Sequence, residues 1–230
     1  MLTTSIQTIY EDDALLILRK PWGIAVESAR VTEADLVSRI RAERGAEPFV
    51  VHRLDQVVEG LVAFALTKKA AAALTEQIRS GTWQKRYVAL VCGEIPGESG
   101  ELIDYLVRDG RRNLSFPAAP TDPRAKRAVL RYRRLEGQLL GIELVTGRHH
   151  QIRVQLSHAG MPIAGDFKYG APPAAQLRGA EAQKEAAASM PLPRGAIALC
   201  ATGLAFLHPL TGKPVSFRTD PSFTRNGVEI

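Results

Sequence analysis

Short β-like runs separated by turn residues recur along this chain, and they constrain its fold more than any other feature. The runs are SIQTIYEDDALLILRKPWG, WQKRYVALVCGEI, AVLRYRRLEGQLLGIELVTG, AIALCATGLAFLHP and KPVSF. The first contains the acidic turn Glu11-Asp12-Asp13 and the third a turn at Glu136-Gly137, so each of these predicts two strands. The expected fold is α+β, with an extensive, mostly antiparallel sheet flanked by a few helices.

Three stretches have the patterns of helices. Thr32 with Asp35 resembles a capping signal for a helix in EADLVSRIRAER, which Gly45 ends. Thr67 can cap the alanine-rich segment KKAAAALTEQIRS. The segment RHHQIRVQLSHAG predicts a third helix that starts near Arg148, because its aliphatic residues lie one turn apart.

Length and composition predict a single catalytic domain over residues 1–230. The chain has 230 residues, 45% of them hydrophobic, which is enough to bury a substantial core. Residues 171–195 are dominated by Ala, Pro and Gly and predict a mobile surface excursion within that domain. The two cysteines, Cys92 and Cys200, lie in apolar surroundings and have no zinc-type spacing, so we expect free core thiols.

The charge balance favours a polyanionic partner. The formal net charge is +6 and the sequence pI is about 9.5, which is typical of proteins that bind nucleic acid, although basic proteins without such partners are common. The N-terminal residues lack the pattern of a signal peptide, and no apolar run approaches the roughly 20 residues that span a bilayer. We therefore expect a cytoplasmic protein that does not bind membranes.

The stretch VVHRLDQVVEGLVAFAL places a polar quartet between two runs that otherwise resemble buried β-structure. Asp55 lies where the chain leaves or enters a sheet, so rigid elements can hold its carboxylate facing a cleft. That placement suits a nucleophile or a general base. A turn cap, or an ion pair with Arg53, explains the same residue equally simply. These residues alone leave both interpretations open.

The quartet His52-Arg53-Leu54-Asp55, followed by Gly60-Leu61, resembles the signature of the RluA-type pseudouridine synthases. Further stretches resemble the same family in the same order along the chain. They are Lys20-Pro21 with Gly23, KRYVALVCG, GRHHQIRVQLSHAGMPIAGDFKYG and IALCATGLAFLHPLTGKPVSF. Together the matched stretches cover most of residues 10 to 218, so the resemblance extends through nearly the whole chain.

The resemblance implies the pseudouridine synthase catalytic fold and an enzyme that isomerises uridine in RNA to pseudouridine, with no cofactor and no metal. It gives Asp55 as the catalytic aspartate, Tyr87 as the tyrosine near the base, and Arg153 as the arginine that pairs with the aspartate. Chemistry agrees with the last assignment, because a nearby guanidinium favours the ionised form of a shielded carboxylate. The residues do not decide whether Asp55 acts as nucleophile or as base.

A second group of residues is expected to contact the substrate or the RNA backbone. Its members are Lys20, His52, Arg53, Arg131, Arg133, Arg148, His149 and Gln151. Alternation along a strand projects Arg131 and Arg133 to one face, where they can attract phosphates, although a solvated basic face explains them as well. His149 and Arg153 are four residues apart in the predicted helix and would share a face. Adjacent histidines diverge on a helix, so we expect no metal site at His149-His150.

The chain departs from the family pattern next to the aspartate. The family usually has Thr-Ser where this chain has Val58-Glu59. We expect Glu59 to point to solvent, because a carboxylate facing Asp55 would raise the pKa of Asp55 and weaken it as an ionised group. Many relatives carry an N-terminal S4-type RNA-binding domain. Only about 19 residues precede Lys20 here, so we expect that domain to be absent.

Two other function classes remain as alternatives to an RNA pseudouridine synthase. One is a glycosidic-bond hydrolase that uses Asp55 and Glu59 as paired acids. The other is a catalytically silent RNA-binding module, which the positive charge supports. For the synthase, the target uridine has to leave its stack, so an unpaired or weakly paired site in ribosomal or transfer RNA is expected. A monomer is expected.

Overall fold

The computed structural model describes residues 6–28, 34–170, 192–193 and 195–224, and these residues form two compact units. The first unit comprises the described residues up to Lys85 together with Cys200–Pro221, and the second comprises Arg86–Leu199 and the residues from Ser222 onward. The single domain expected over 1–230 stays a prediction. Thr32 and most of the excursion predicted over 171–195 lie outside the described residues.

The described residues contain eleven strands and three helices, named here in chain order. They are β1 (Gln7–Glu11), β2 (Leu15–Lys20), α1 (Leu36–Arg44), β3 (Phe49–Val50), β4 (Glu59–Ala65), α2 (Lys68–Arg79), β5 (Gln84–Leu90), β6 (Ser99–Asp109), β7 (Leu114–Pro117), β8 (Lys126–Arg134), β9 (Leu139–Leu144), α3 (Gln151–His158), β10 (Leu199–Leu207) and β11 (Pro214–Arg218). The helices have 9, 12 and 8 residues. Within the described residues, no helix is long and apolar enough to cross a membrane.

The first unit is built on strands in the order β1-β2-β4-β10, with β3 beside β4 and β11 beside β10. Only the β4–β10 pair is parallel among these neighbours. Every residue of β4 is buried, which explains why its sequence is an almost unbroken apolar run. The helix α2 packs Ala70 and Leu74 into the same core as Leu61 and Trp83. The loop between β3 and β4 therefore leads directly into a fully buried strand.

The second unit has strands in the order β5-β9-β8-β6-β7, and every one of these pairs is antiparallel. The helix α3 packs Val154 against Leu106 of β6 and Ala128 of β8. The strands β6 and β7 were not predicted from the sequence. The α+β class and the mostly antiparallel pairing are confirmed.

The second helix begins directly after its predicted cap, Thr67, whereas the first begins at Leu36 with Asp35 as its cap and so starts later than the predicted segment EADLVSRIRAER. The Asp35 carboxylate accepts from the Ser38 amide at 2.7 Å and α1 ends at Gly45 with φ of 69°, while Thr67 Oγ1 accepts from the Ala70 amide at 3.1 Å.

The third helix starts later than predicted. It begins at Gln151, because His150 adopts a left-handed backbone with φ of 54° and ψ of 24°. His149 therefore precedes the helix, and the shared helical face predicted for His149 and Arg153 is wrong.

Candidate active site

Asp55 lies half-buried in the loop between β3 and β4. Its carbonyl oxygen accepts from the Val58 amide at 3.0 Å, which closes a turn. The next residue, Gln56, accepts from the Gly23 amide through its carbonyl oxygen at 2.9 Å and donates from Nε2 to the Gly23 carbonyl oxygen, also at 2.9 Å. Hydrogen bonds at Asp55 and at Gln56 therefore hold the chain segment that carries the candidate catalytic carboxylate.

Lys20 joins the same two segments from inside the protein. Its ammonium is fully buried and donates to the carbonyl oxygens of Pro21 at 3.0 Å, Ile24 at 2.8 Å and Gln56 at 3.2 Å. Burial lowers the pKa of Lys20 to about 7, against the attraction of the Asp55 and Glu59 carboxylates. A side chain held this way supports the Asp55 loop, and its burial favours that internal role over the RNA contact predicted from the sequence.

Glu59 does not point to solvent, so the expectation from the sequence is wrong. The side chain is 2% exposed, and Arg19 Nη2 lies 3.3 Å from its Oε2. The reason is its place at the start of β4, where it pairs with Cys200 of the neighbouring parallel strand and both sheet faces are covered. Burial, and next the Glu59 carboxylate, raise the pKa of the Cys200 thiol well above its usual range. The family's hydroxyl position therefore holds a buried, ion-paired acid here.

Gly60 lets β4 approach β10 directly after the Asp55 loop. Its φ is +118°, and a Cβ at this position would lie 2.4 Å from the Ala201 carbonyl oxygen. Only glycine combines this backbone conformation with this close contact. The glycine of the signature is thus required by the strand that follows the aspartate.

His52 anchors the quartet to β4. Its Nε2 accepts from the Ala63 amide at 2.9 Å, and its ring meets Trp83 edge-on at 5.3 Å between centroids. Burial, and next the charge of Lys85, lower the pKa of His52 well below its usual value, so the ring is neutral at pH 7. The buried ring favours a positioning role over the substrate contact predicted from the sequence.

Arg53 is the accessible member of the quartet. Its side chain is 63% exposed and its Nη1 lies 3.9 Å from Glu27 Oε2. It lines an open cleft of about 510 Å³, together with Val50, Val51 and Thr75. Exposed ion pairs at this distance contribute little energy, so Arg53 can exchange Glu27 for a phosphate. Its predicted RNA contact is compatible with this placement.

Tyr87 and Arg153 are both buried in the second unit. Tyr87 lies in β5 opposite Ile142 of β9 and is 7% exposed. Arg153, on α3, is 6% exposed and donates from Nε and Nη2 to the two oxygens of Asp166 at 2.7 and 2.8 Å. This pair uses two of the guanidinium donors, and such a planar fork can serve more than one acceptor. The pairing of Arg153 with Asp55 stays a prediction.

A second contact orients the Arg153 guanidinium. The ring of Tyr169 lies 5.0 Å from the Arg153 Cζ. The Tyr169 hydroxyl is held in turn by His150 Nδ1 at 2.6 Å and by the Ser115 amide at 2.8 Å. Asp166 and Tyr169 were missed as site residues, although both lie in the matched block ending GDFKYG, whose tail follows the helix that carries Arg153.

Gln151 is 2% exposed, and internal contacts engage its whole amide. Its Oε1 accepts from Thr146 Oγ1 at 2.8 Å and from the Arg148 amide at 2.9 Å. Its Nε2 donates to the Val129 carbonyl oxygen at 3.0 Å and to Gln155 Oε1 at 2.9 Å. This favours a positioning role over the predicted contact with RNA.

The turn before α3 carries the two other residues predicted from this block. Arg148 is exposed and donates from Nε to the Arg127 carbonyl oxygen at 2.9 Å. His149 lies between Ser115 Oγ at 2.9 Å and Asn113 Oδ1 at 3.0 Å. Its ring stacks on His150 at 3.7 Å, so the expectation that these rings diverge is wrong, because neither residue lies within the helix. Among the described residues, no group of His, Cys, Asp and Glu could hold a metal ion.

Arg131 and Arg133 both project from one exposed face of β8, as the alternation predicted, while Tyr132 between them is buried. Arg131 Nε donates to Glu101 Oε1 at 2.9 Å, and its Nη1 lies 3.9 Å from Glu143 Oε2. Glutamates therefore partly neutralise this basic face.

Comparison with known proteins adds to this geometry. The family model for RNA pseudouridylate synthases matches residues 14–158, a range that contains Asp55, Tyr87 and Arg153. The Haemophilus influenzae protein named ribosomal large subunit pseudouridine synthase C is 37% identical over 172 residues, covering 71% of this chain and 52% of that protein. The Zymomonas mobilis protein named ribosomal large subunit pseudouridine synthase D is 33% identical over 226 residues, covering 92% of this chain and 68% of that protein.

Solved structures share the fold. Human RNA pseudouridylate synthase domain containing 1 aligns with a TM-score of 0.74 at 22% identity, covering 96% of this chain and 85% of that one. Human RNA pseudouridylate synthase domain containing 4 aligns with a TM-score of 0.69 at 23% identity, covering 93% and 88%. The chain spans about half the length of the synthase C relatives it matches. The family match and the identities show that this chain belongs to the RNA pseudouridylate synthase family, and within it to the RluA type.

Proposed function

We propose that this protein is an RNA pseudouridine synthase, an isomerase that converts a uridine in RNA to pseudouridine. The observation that carries the proposal is the family match over residues 14–158, within which the candidate residues Asp55, Tyr87 and Arg153 all fall. Relatives matched over most of this chain are named for the large ribosomal subunit, so we propose ribosomal RNA as the first substrate to test. A monomeric state and a cytoplasmic location, as expected from the sequence, are part of the proposal.

The reaction rearranges bonds without an added reactant. The bond from ribose C1′ to uracil N1 breaks, the base turns, C5 bonds to C1′, and the C5 proton is lost while N1 becomes protonated. We propose that Asp55 acts as nucleophile or base, that Tyr87 lies beside the uracil, and that Arg153 favours the ionised aspartate. The uridine is expected to be flipped from its stack, which costs least at an unpaired site.

The structure gives specific support for a fixed Asp55. Its loop is held by the turn to Val58, by Gln56 against Gly23 and by the buried Lys20 ammonium. A carboxylate placed by packed backbone keeps its geometry without reorganisation during the reaction. The hydrolase alternative needs Glu59 to face a substrate beside Asp55. Its 2% exposure and its pair with Arg19 disfavour that role.

The experiment compares the protein with its Asp55→Asn variant on ribosomal RNA. Carbodiimide-dependent primer extension locates pseudouridine, and chromatography detects released uracil. We expect a new pseudouridine with the natural protein, none with Asp55→Asn, and similar RNA binding by both. Asp13→Asn, in an exposed turn, is the matched control and should leave activity unchanged. Release of free uracil would support a hydrolase. RNA binding without any product would support a silent RNA-binding module. Full activity of Asp55→Asn would exclude the proposed role of Asp55.

A further inference from the structure

Phe167 is an aromatic side chain held in water. It is 83% exposed, whereas the other large exposed hydrophobic side chains among the described residues are 41% to 50% exposed. Leaving a phenyl ring so exposed costs the protein the burial energy that such a side chain normally contributes. A partner that covers the ring would recover that energy.

The turn that carries Phe167 is well ordered by hydrogen bonds. The amide of Asp166 donates to the Ile163 carbonyl oxygen at 3.0 Å, and that of Gly170 donates to the Asp166 carbonyl oxygen at 2.8 Å. The Phe167 amide donates to the Gly165 carbonyl oxygen at 3.1 Å. The ring is therefore presented on a fixed backbone, so little conformational entropy is lost when it makes a contact.

The same turn also holds the candidate catalytic arginine. Asp166, directly before Phe167, forms the two hydrogen bonds to Arg153, and Tyr169, two residues after it, lies over the Arg153 guanidinium. A partner bound to Phe167 would thus lie within a few residues of the groups that orient Arg153.

One cation follows Phe167 on the same turn, and two more lie on the connection that this turn contacts. Lys168 follows Phe167 and donates from Nζ to the Asn113 carbonyl oxygen at 3.0 Å, which ties the turn to the connection between β6 and β7. That connection carries Arg111 and Arg112, both exposed. Arg112 Nε lies 3.8 Å from Asp109 Oδ2, and solvent screens this exposed pair. Positive charge beside an exposed ring matches single-stranded RNA, whose phosphates bind cations while its bases stack on aromatic faces.

We propose that Phe167 is a stacking platform for an unpaired base of the RNA substrate, and that Lys168, Arg111 and Arg112 bind the adjoining phosphates. The proposal rests on the proposed function and deepens it by naming a turn, in contact with Arg153 through Asp166, that holds an unpaired segment of the same RNA. Stacking is tolerant of base identity, so Phe167 contributes affinity and register, and it selects unpaired over paired RNA.

The test measures binding of a short uridine-rich single-stranded RNA that carries one 2-aminopurine, whose fluorescence is quenched by stacking. Phe167→Ala is expected to raise Kd by between about five-fold and one hundred-fold and to reduce the quenching. Phe167→Tyr should bind like the natural protein, because the ring is kept, while Phe167→Leu should show the same loss as Phe167→Ala. Leu210→Ala, which removes a side chain 47% exposed in another turn, is the matched control and should change nothing.

Salt dependence separates stacking from charge. The slope of log K against log salt should stay unchanged in Phe167→Ala and become shallower in Lys168→Ala, because only the lysine releases counterions. A fully paired, blunt-ended RNA duplex should show a much smaller effect of Phe167→Ala. Unchanged single-strand binding by Phe167→Ala, full binding by Phe167→Leu, or an equal loss on paired RNA would each overturn the proposal. Thermal unfolding of each variant verifies that the fold is kept.

The two proposals fail separately. If the natural protein makes pseudouridine but Phe167→Ala binds and reacts normally, the stacking proposal is wrong and the synthase proposal stands. If the natural protein makes no pseudouridine but Phe167→Ala loses affinity for RNA as described, the synthase proposal is wrong and the stacking proposal stands.

Discussion

The Glu59 carboxylate and the Arg19 guanidinium form an ion pair at 3.3 Å, with Glu59 2% and Arg19 23% exposed. The contact places a buried acid four residues after the candidate catalytic Asp55. It also shows how this chain accommodates an acid where its family usually has a small hydroxyl. Arg19 supplies a direct partner, and the Lys20 ammonium attracts the same carboxylate.

Removing the Glu59 carboxylate should destabilise the protein. Arg19 Nη2 keeps its bond to the Asp220 carbonyl oxygen at 3.3 Å. Glu59→Ala nevertheless removes its carboxylate partner, so we expect the free energy of unfolding to fall by about 2 kcal/mol, discounted for the exposure of Arg19. Urea unfolding followed by circular dichroism measures the loss. Glu76→Ala, which removes an exposed helical pair with Arg79, should cost much less, because solvent screens that pair. Equal losses in the two variants would contradict the structural role of Glu59.

The buried Lys20 should make stability depend on pH. The pKa of Lys20 is about 7 in the folded protein, which is below its value in the unfolded chain. Between these two pKa values the unfolded chain binds more protons than the folded protein, so the free energy of unfolding rises with pH. Full linkage corresponds to about 1.4 kcal/mol per pH unit, and we expect roughly 1 kcal/mol per unit between pH 7.5 and 9 from this group. The measurement is the difference between the natural protein and Lys20→Met in urea unfolding at several pH values. The exposed Lys69→Met should keep the natural slope, and an unchanged slope in Lys20→Met would exclude this linkage.

Asp166 should matter for catalysis through Arg153. Asp166→Asn removes one charged oxygen from the bidentate pair, so the guanidinium loses its fixed orientation and we expect kcat to fall on the order of 100-fold, with Kd for RNA little changed. Single-turnover conversion of ribosomal RNA measures kcat, and filter binding measures Kd. Asp122→Asn breaks a pair with Arg124 on an exposed turn and is the matched control. A rise in Kd with unchanged kcat would assign Asp166 to RNA binding instead.

Gly60 should tolerate no side chain. Gly60→Ala places a Cβ 2.4 Å from the Ala201 carbonyl oxygen at a φ of +118°, so we expect a loss of about 3 kcal/mol or more in the free energy of unfolding. Gly81→Ala shares a positive φ of +74° but meets no atom within 4 Å, so only backbone strain of about 1 kcal/mol is expected. The difference between the two variants in urea unfolding isolates the β4–β10 contact. Equal losses would mean that backbone strain alone accounts for both.

The strands predicted from the sequence are those with strong local patterns. Alternation and turn residues predicted the β1–β2 and β8–β9 pairs, and the apolar run predicted β4. The strands β6 and β7 were missed because β6 mixes glycine and charged residues with its aliphatic ones along its length. Its regularity comes from pairing with β8 along eight residues, which is a long-range contact that no local window contains.

The candidate site divides in the same way. The order of the motifs along the sequence determined the family, and with it Asp55, Tyr87 and Arg153 as the residues to test. Only the tertiary structure decided that Glu59 and Lys20 are buried, that Asp166 and Tyr169 hold Arg153, and that Phe167 remains exposed. A motif records which side chains are present. The direction and burial of each side chain depend on strands and turns that are distant in sequence. Two examples are the left-handed backbone of His150, which makes α3 start at Gln151, and the pairing of β4 with β10, which buries Glu59.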